Sequence, residues 1–504
     1  MSGASVDLEA SSKLESPSDG APSLHKEENS SELKLDSHGL PLVPQPSSDP
    51  SDPLNFPQWL KIAILLQVSF LSGLGPLNQA VINPAYVPLA AHFHKTTVVA
   101  SYQTTIAIAF VGVGAFLWVP LANTYGRRPV LLFTSLLAAA SSIASGKALT
   151  WSQLIGTRVL NGIATASFFT VGAGMVSDTF FLHERGRAMG VFTVFLTNSA
   201  HVAPIPGGFL AQYVNYRWCY YLVSLPILPW QLLDPLSKAR HTRLDPVLLM
   251  LFCLPETLYV RGSTPVATSR PILRRMGLWN LRPAEKHLKM SDFLHSFIMF
   301  TYPTVLLSAF YYSIAFGFSS ILPAVTSATL FRLKHKFTTS HTGLALGFGT
   351  LIGFYTWRTF GRKGKAGGEA VPEVRLSGIW AGAIIQPVCT PIFARHRIVY
   401  ALNFLIIFSA HWIGPTLGFT IMSPVLYSYC ADSYRPQTPE VAQVFNFGRQ
   451  TFGMTIGFWA MYLRAFFPWE PRSAIQFMGL TLALLSLGEA IRKKMGAPNF
   501  NSKL

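Results

Sequence analysis

A short basic sequence, Tyr125-Gly126-Arg127-Arg128-Pro129, constrains the fold of this chain more than any other feature. It separates two apolar segments, residues 99–121 and 130–144, each close to the roughly 20 residues that a helix needs to cross a bilayer. Glycine and paired arginines between two spans are typical of a cytoplasmic hairpin loop. A similar turn, Phe360-Gly361-Arg362-Lys363, follows a glycine-rich apolar segment in the second half. The repeat predicts a duplicated bundle of membrane helices.

The composition supports a membrane protein. Half of the 504 residues are hydrophobic, 12% are charged and the mean hydropathy is +0.34. Such a chain is too apolar for ordinary soluble domains, and we predict an all-α integral membrane protein. We expect about twelve transmembrane helices in two six-helix bundles, at residues 55–254 and 291–495. A cytoplasmic central loop, 255–290, joins the bundles, and a short tail, 496–504, ends the chain.

The N-terminal residues differ from the rest of the chain in charge. The first fifty residues hold nine acidic residues against three lysines, although the whole chain carries a net charge of +17. This Ser-, Pro- and Glu-rich region predicts a disordered cytoplasmic tail over residues 1–54. Elsewhere the basic residues lie mostly beside apolar runs, where they orient helices in the bilayer. Nucleic acid is therefore not an expected partner.

Sequence patterns of several enzyme classes are missing. The chain has no GxSxG elbow, no HExxH zinc pair and no GxxxxGK[ST] phosphate loop. We therefore predict neither an enzyme nor an ATP-driven pump, with no cofactor and no metal. The cysteines form no CxxC pair and lie in or near apolar segments, which predicts small buried hydrophobic residues. They are Cys219, Cys253, Cys389 and Cys430.

The sixth apolar segment, residues 220–254, is interrupted by charges. Asp234, Lys238, Arg240, Arg243 and Asp245 fall within twelve residues, and burying them in lipid would cost several kcal/mol each. We predict that residues 232–243 form an irregular loop, or that the sixth helix is short and bent. A gene-model artefact and a real insertion are both open explanations.

Several short sequences occur in a characteristic order. Asn123-Thr124-Tyr125-Gly126-Arg127-Arg128 follows the second apolar segment, and Arg158-x-x-x-Gly162 lies in the fourth. Ala203-Pro204-Ile205-Pro206-Gly207-Gly208 lies in the fifth, and Leu254-Pro255-Glu256-Thr257-Leu258-Tyr259 ends the sixth. Together they resemble the major facilitator superfamily, and within it the fungal drug:proton antiporters. The chain departs from the family pattern at Asn123, where the family has Asp, and in the fifth segment, where Ala replaces a central Gly.

The resemblance implies two six-helix bundles that rock about a substrate held between them near mid-membrane. It implies a monomeric secondary transporter that exports a small organic molecule by proton antiport. An importer of a nutrient or polyamine, and a non-transporting sensor or inactive relic, are the alternatives. The resemblance also places helices 2, 5, 8 and 11 at the interface between the bundles. Pro204, Gly207 and Gly208 are expected to serve helix packing there.

Arg158 is the strongest candidate for a coupling residue. A guanidinium inside an apolar run is costly unless it finds a partner, so we expect Arg158 to face the central cavity. By resemblance it would couple protons to substrate movement; extension to the membrane surface is the alternative. His201, near Asn198, is a possible proton carrier because histidine titrates near neutral pH. A packing histidine is an equal alternative.

The basic hairpins are expected to act as conformational locks. Asp178 would pair with Arg127 or Arg128 beside Gly126 on the cytoplasmic face, through a charge-assisted contact in one conformational state. Gly361 and Arg362 form the corresponding hairpin in the second half.

Polar and aromatic residues within the spans are the candidates for the substrate cavity. Aromatic rings with a few hydrogen-bonding groups suit amphiphilic or cationic organic ligands, although each residue could instead serve packing. The candidates are Gln79, Asn83, Gln103, Asn161, Tyr311, Tyr427, Asn446 and Gln450.

The C-terminal tripeptide Ser502-Lys503-Leu504 matches a peroxisomal address. That signal is normally read on soluble cargo, whereas a multi-span protein is inserted by other routes. We therefore predict a multi-pass protein of the plasma membrane, with the peroxisomal membrane as a minor alternative.

Overall fold

A computed structural model describes residues 52–224, 254–259, 288–322, 338–341 and 437–466. It also describes scattered residues between 42 and 49 and between 419 and 434. These residues form helices and turns, and no strand occurs among them. The interruption predicted at residues 232–243 and the hairpin with Gly361 and Arg362 lie outside the described residues.

The first half contributes most of the described helices. They are α1 (Gln58–Ala80), α2 (Tyr86–His92), α3 (Thr97–Tyr125), α4 (Arg127–Lys147), α5 (Trp151–Thr179), α6 (Leu182–Val202), α7 (Pro204–Tyr213) and α8 (Arg217–Ser224). The second half adds α9 (Met290–His295), α10 (Pro303–Phe316) and α11 (Thr438–Phe466). Short turns at Pro53–Asn55, Asn83–Ala85 and Ser296–Thr301 join some of these helices, and a single π turn, Gly317–Ile321, extends α10.

Six described segments are long and apolar enough to cross a bilayer, with lengths between 19 and 35 residues. α1 and α2 together make the longest of them, Gln58–His92. The outward faces carry large apolar side chains; Trp59, Val113 and Phe133 are each more than half exposed. Such surfaces suit lipid rather than water. The predicted class, an all-α membrane protein, is confirmed.

Local sequence explains where several helices begin. Thr150 caps α5 by accepting a hydrogen bond from the backbone of Gln153 at 3.3 Å, and the Gln153 side chain accepts one from the Thr150 backbone at 3.2 Å. Thr96 caps α3 through one such bond, which its hydroxyl accepts from the backbone of Val99 at 3.3 Å. Pro204 occupies the first position of α7, where a missing N–H costs nothing.

The predicted hairpin loop at residues 125–129 is wrong in its extent. Only Gly126 separates α3 from α4, and its φ of 106° lies in the left-handed region that favours glycine. Arg127 and Arg128 form the first turn of α4 and are buried. Their backbone N–H groups donate to the carboxylate of Glu256, both at 3.0 Å. This carboxylate satisfies the helix start, so no longer loop is needed.

The described residues include the end of the predicted tail, which was expected to extend to residue 54. Asp52 is fully buried, and its Oδ1 accepts a hydrogen bond from the backbone of Leu54 at 3.0 Å. Its other oxygen accepts one from the backbone of Ser47, also at 3.0 Å. The turn that precedes α1 is therefore held by a specific cap, which corrects the predicted disorder for residues 52–54.

Two helix crossings depend on the absence of a side chain. A Cβ on Gly207 would lie 1.8 Å from the carbonyl oxygen of Val81, and one on Gly162 would lie 2.4 Å from that of Ala107. Both atoms belong to the backbone of a neighbouring helix or turn, which cannot move aside cheaply. Gly207 therefore packs within the first half rather than at the interface, and so does Gly162, whereas Gly112 faces Gln450 of the second half.

We expect Gly207→Ala to destabilise the protein by about 1–3 kcal/mol, because the added methyl group overpacks the crossing with Val81. Thermal denaturation of the purified protein in detergent measures this. Gly156→Ala is the matched control, since a Cβ on Gly156 meets nothing within 4 Å and the change should stabilise α5 by about 0.5–1 kcal/mol. Equal behaviour of the two variants would show that the crossing is not close.

Candidate functional site

The two halves of the chain meet along α11, which runs antiparallel to α3. Gln443 donates its side-chain amide to the carbonyl oxygen of Ala115 at 3.0 Å, and Asn446 donates to that of Val111 at 3.1 Å. A helical carbonyl has a second lone pair available for such a bond. Asn446, which was predicted for the cavity, therefore lies where α3 and α11 join the two halves, a contact that we call the seam. Gln450 lies one turn further along α11 and packs against Gly112.

Further contacts join the halves at both ends of this seam. At the end predicted to be cytoplasmic, the Asn123 amide donates to Glu440 at 3.3 Å. At the opposite end, Gln212 accepts a hydrogen bond from the backbone of Ser340 at 2.9 Å. The Asn123 contact explains one departure from the family pattern, because an aspartate at this position would repel Glu440.

Arg158 is fully buried and held within the first half. Its Nη1 donates to Asn78 Oδ1 at 2.9 Å, its Nη2 donates to the Asn78 carbonyl at 3.4 Å, and the Tyr220 ring lies 5.6 Å away. Nε makes no hydrogen bond, and among the described residues no carboxylate pairs with this guanidinium. The alternative of a side chain extended to the membrane surface does not describe this structure.

Asn161 lies one turn beyond Arg158 in α5, and hydrogen bonds through Ser142 connect it to Asn78, the partner of Arg158. Its amide donates to the hydroxyls of Ser141 and Ser142 at 3.1 and 3.0 Å, and Ser142 also accepts from Asn78 at 2.9 Å. The network therefore links α1, α4 and α5 in the interior of the first half.

Three other predicted cavity residues form a second group beside Arg158. The Tyr86 hydroxyl lies 2.7 Å from Asn83 Oδ1 and 3.0 Å from the Thr104 hydroxyl, which also accepts from Gln103 at 2.7 Å. The backbone carbonyl of Gln79 lies 3.5 Å from the same hydroxyl. Gln103 in turn lies 3.4 Å from the hydroxyl of Tyr220, the residue whose ring covers Arg158. The structure thus gathers Gln79, Asn83, Gln103, Asn161 and Arg158 in one polar region.

The remaining predicted residues lie elsewhere. His201 is buried at the interface, with Nε2 3.2 Å from the Ser320 hydroxyl of the second half, and Asn198 is buried near it on α6. Tyr427 contacts Phe192 of the first half at a ring distance of 6.5 Å, so it also lies at the interface. Tyr311 is buried within α10.

The expected contact at the hairpin is present for Arg127, whose Nη1 lies 2.5 Å from the carboxylate of Asp178. Arg127 is almost completely buried, and Asp178 is about a quarter exposed. The guanidinium lies over Gly174, which also approaches Pro439 at the start of α11. The ion pair therefore sits where the halves approach each other.

We expect a double-mutant cycle of Arg127→Gln and Asp178→Asn to give a coupling free energy of about 1 kcal/mol, since one partner is part-exposed. Unfolding of the two single variants and the double variant in detergent gives this value. Strictly additive effects would show that the ion pair contributes nothing to stability.

Arg449 in α11 is a buried charge that was not among the predicted site residues. Its guanidinium lies between two aromatic rings, 5.0 Å from the centroid of Phe169 in α5 and 4.9 Å from that of Phe316 in α10. The available signal was an arginine within the apolar run 441–463.

Comparison with known proteins identifies relatives of the whole arrangement. The family model described as Major Facilitator Superfamily matches residues 68–458. The chain is 26% identical over 473 residues to the MFS-type transporter phm3 of Pyrenochaetopsis sp, covering 89% of this chain and 93% of that protein. It is 26% identical over 410 residues to the efflux pump vrtL of Penicillium aethiopicum, covering 77% and 76%.

A solved structure shares the fold. The crystal structure of the human organic anion transporter MFSD10 (TETRAN) superposes with a TM-score of 0.54, covering 85% of this chain and 97% of that chain. The sequences are 15% identical, so this likeness concerns the fold alone.

Proposed function

We propose that this chain, which belongs to the major facilitator superfamily, exports a small organic molecule across a membrane in exchange for protons. Membership makes it a multi-pass membrane transport protein rather than an enzyme. A relative named an efflux pump, vrtL of Penicillium aethiopicum, supports the outward direction.

The observation that supports coupling best is the environment of Arg158. A buried guanidinium without a carboxylate partner imposes a cost that a second charge or a conformational change can relieve. Arg158 is positioned by neutral groups on α1 and covered by Tyr220. These groups hold the cation without neutralising it, so its field acts on any proton-carrying group that approaches. We assign His201 and Asn198 a supporting role at the interface, where the His201 ring bonds Ser320.

The contacts between the halves support an alternating-access mechanism. Asn123 and Glu440 close one end, and Gln212 and Ser340 close the other. Both hydrogen bonds are part-buried. The bond to the Glu440 carboxylate is worth about 1.5–3 kcal/mol and the neutral bond to Gln212 about 0.5–1.5 kcal/mol. Either end can therefore open without disturbing the packed interior of a half. Arg127 and Asp178 would stabilise the state in which the predicted cytoplasmic end is closed.

We expect the protein to work as a monomer in the plasma membrane.

The test is transport by the purified protein in proteoliposomes. An imposed proton gradient should drive accumulation of at least one compound in a panel of organic acids, neutral compounds and amines, and a protonophore should abolish it. Accumulation that follows the substrate gradient alone would contradict proton coupling. Absence of movement for every compound, with folded protein in the liposomes, would favour the sensor or relic.

A further inference from the structure

Arg449 supports an inference about the substrate, which rests on the proposed function. Its side chain is only 2% exposed, and it lies where α11 faces the first half. The hydrogen bond from its Nη2 to Asn446 Oδ1 measures 3.0 Å. Nε makes no hydrogen bond, and no carboxylate of the described residues forms an ion pair with it. Glu440 is nine positions away on the same helix, about 13 Å along the axis. Arg449 is therefore a buried cation with spare donors.

Asn446 ties this cation to the seam. Its amide nitrogen donates to the carbonyl of Val111 in α3, while its oxygen accepts from Arg449. Neighbouring Gln450 places its amide nitrogen 3.5 Å from the same oxygen, and the Gln450 oxygen has no hydrogen-bond partner. Asn446 thus fixes the orientation of the guanidinium without supplying negative charge.

The aromatic rings on either side come from opposite halves. Phe169 belongs to α5 of the first half and packs over Gly75, and Phe316 belongs to α10 of the second half, with Phe419 at a ring distance of 5.7 Å. Each cation–π contact recovers only part of the cost of burying a guanidinium. When the halves separate, Arg449 and Phe316 move away from Phe169, because Phe169 belongs to the first half and the other two residues to the second. One face of the guanidinium then becomes available to a ligand.

We propose that Arg449 binds the anionic group of the transported molecule, and that this molecule is an organic acid with an aromatic or otherwise apolar body. A carboxylate matches the planar fork of donors on a guanidinium, and Phe169 and Phe316 suit the body. An anion would also neutralise the buried charge before the halves close, so that the loaded protein closes more readily than the empty one. This replaces the amphiphilic or cationic ligand expected from the aromatic residues alone.

Sets of compounds with one body and different charges test the proposal. The probes are 2-naphthoate, 2-naphthamide and 2-naphthylmethylammonium, and the corresponding three biphenyl compounds. Equilibrium dialysis with the purified full-length protein measures their dissociation constants. We expect the carboxylate of each set to bind at least about tenfold more tightly than its amide, which is the worth of a charge-assisted hydrogen bond. The ammonium compound should bind least.

Variants assign this preference to one side chain. Arg449→Gln should bring carboxylate and amide to equal affinity, whereas Arg187→Gln, which removes an exposed arginine, should leave the tenfold ratio intact. Arg449→Lys keeps the charge but loses the planar fork, so the ratio should fall without vanishing. This variant decides the matter if the glutamine variant does not fold. Equal or tighter binding of the amides, no binding of any probe, or a preference unchanged in the Arg449 variants would overturn the proposal.

Transport separates this proposal from the function on which it rests. If the proton gradient drives only neutral compounds or amines, and Arg449→Gln leaves that transport unchanged, the anion site is wrong and the proposed function stands. If 2-naphthoate binds in an Arg449-dependent way but no gradient moves any compound, the site stands and proton-coupled export is wrong.

Discussion

Replacing Arg158 by glutamine should reduce gradient-driven transport to the level of empty liposomes, while the protein still reaches the membrane. Glutamine can keep a hydrogen bond to Asn78 but cannot supply the buried charge that the Tyr220 ring covers. The proposed coupling depends on that charge. Accumulation of a substrate under an imposed proton gradient measures the loss.

A second assay separates coupling from substrate binding. Counterflow, in which labelled substrate exchanges for unlabelled substrate without a proton gradient, needs binding and rocking but no net coupling. We expect counterflow to persist in Arg158→Gln and both activities to persist in Arg187→Gln. Arg158→Lys, which retains a charge without the planar fork, should keep part of the gradient-driven activity. Normal accumulation in the glutamine variant would refute a coupling role for Arg158.

The sequence predicted the spans well because the bilayer fixes their length and polarity. The apolar runs 99–121 and 130–144 lie inside α3 (Thr97–Tyr125) and α4 (Arg127–Lys147), which extend beyond them by only two to four residues at each end. The same reasoning misplaced the hairpin. The sequence pattern placed Arg127 and Arg128 in a loop between two membrane segments, but both residues belong to the first turn of α4. Their backbone N–H groups donate to the carboxylate of Glu256, which is more than a hundred residues away in the sequence. No local pattern reveals such a partner.

For the candidate site, too, the sequence indicated some residues but not how they are arranged. Hydrophobicity made Arg158 conspicuous, and Asn83, Gln103 and Asn161, three of the polar residues predicted for the cavity, lie near it. Their arrangement depends on which face of each helix is turned inward, so the sequence could not separate Asn161, in the network of the first half, from Asn446, in the seam. The sequence alone could not identify Arg449 as a site residue. A cation in a membrane span indicates a function only when its surroundings are known to lack a counter-charge, and the structure is needed to show this.

The Glu256 carboxylate holds the start of α4, a contact that the sequence pattern did not predict. One of its carboxylate oxygens accepts hydrogen bonds from the backbones of Arg127, Thr257 and Leu258, at 3.0, 3.0 and 2.9 Å, and the other accepts from Arg128 at 3.0 Å. The carboxylate also lies at the positive end of the α4 dipole. The segment after the sixth apolar region is thereby fastened to the start of α4, and Tyr259 extends the contact to Ser47 in the N-terminal tail.

We expect Glu256→Gln to lower the free energy of unfolding by about 1.5–3 kcal/mol, which is the range for hydrogen bonds to a charged group. The glutamine has the same shape but only one acceptor oxygen. Its amide nitrogen must therefore face a backbone donor, either that of Arg128 or the three that share the other oxygen. Thermal denaturation in detergent measures the change. Asp292→Asn is the matched control, since this carboxylate accepts a hydrogen bond from the Lys289 backbone at 3.2 Å in an exposed position, and the change should cost less than about 0.5 kcal/mol. Equal losses in the two variants would mean that Glu256 contributes no more than an ordinary surface carboxylate, and that α4 begins without its help.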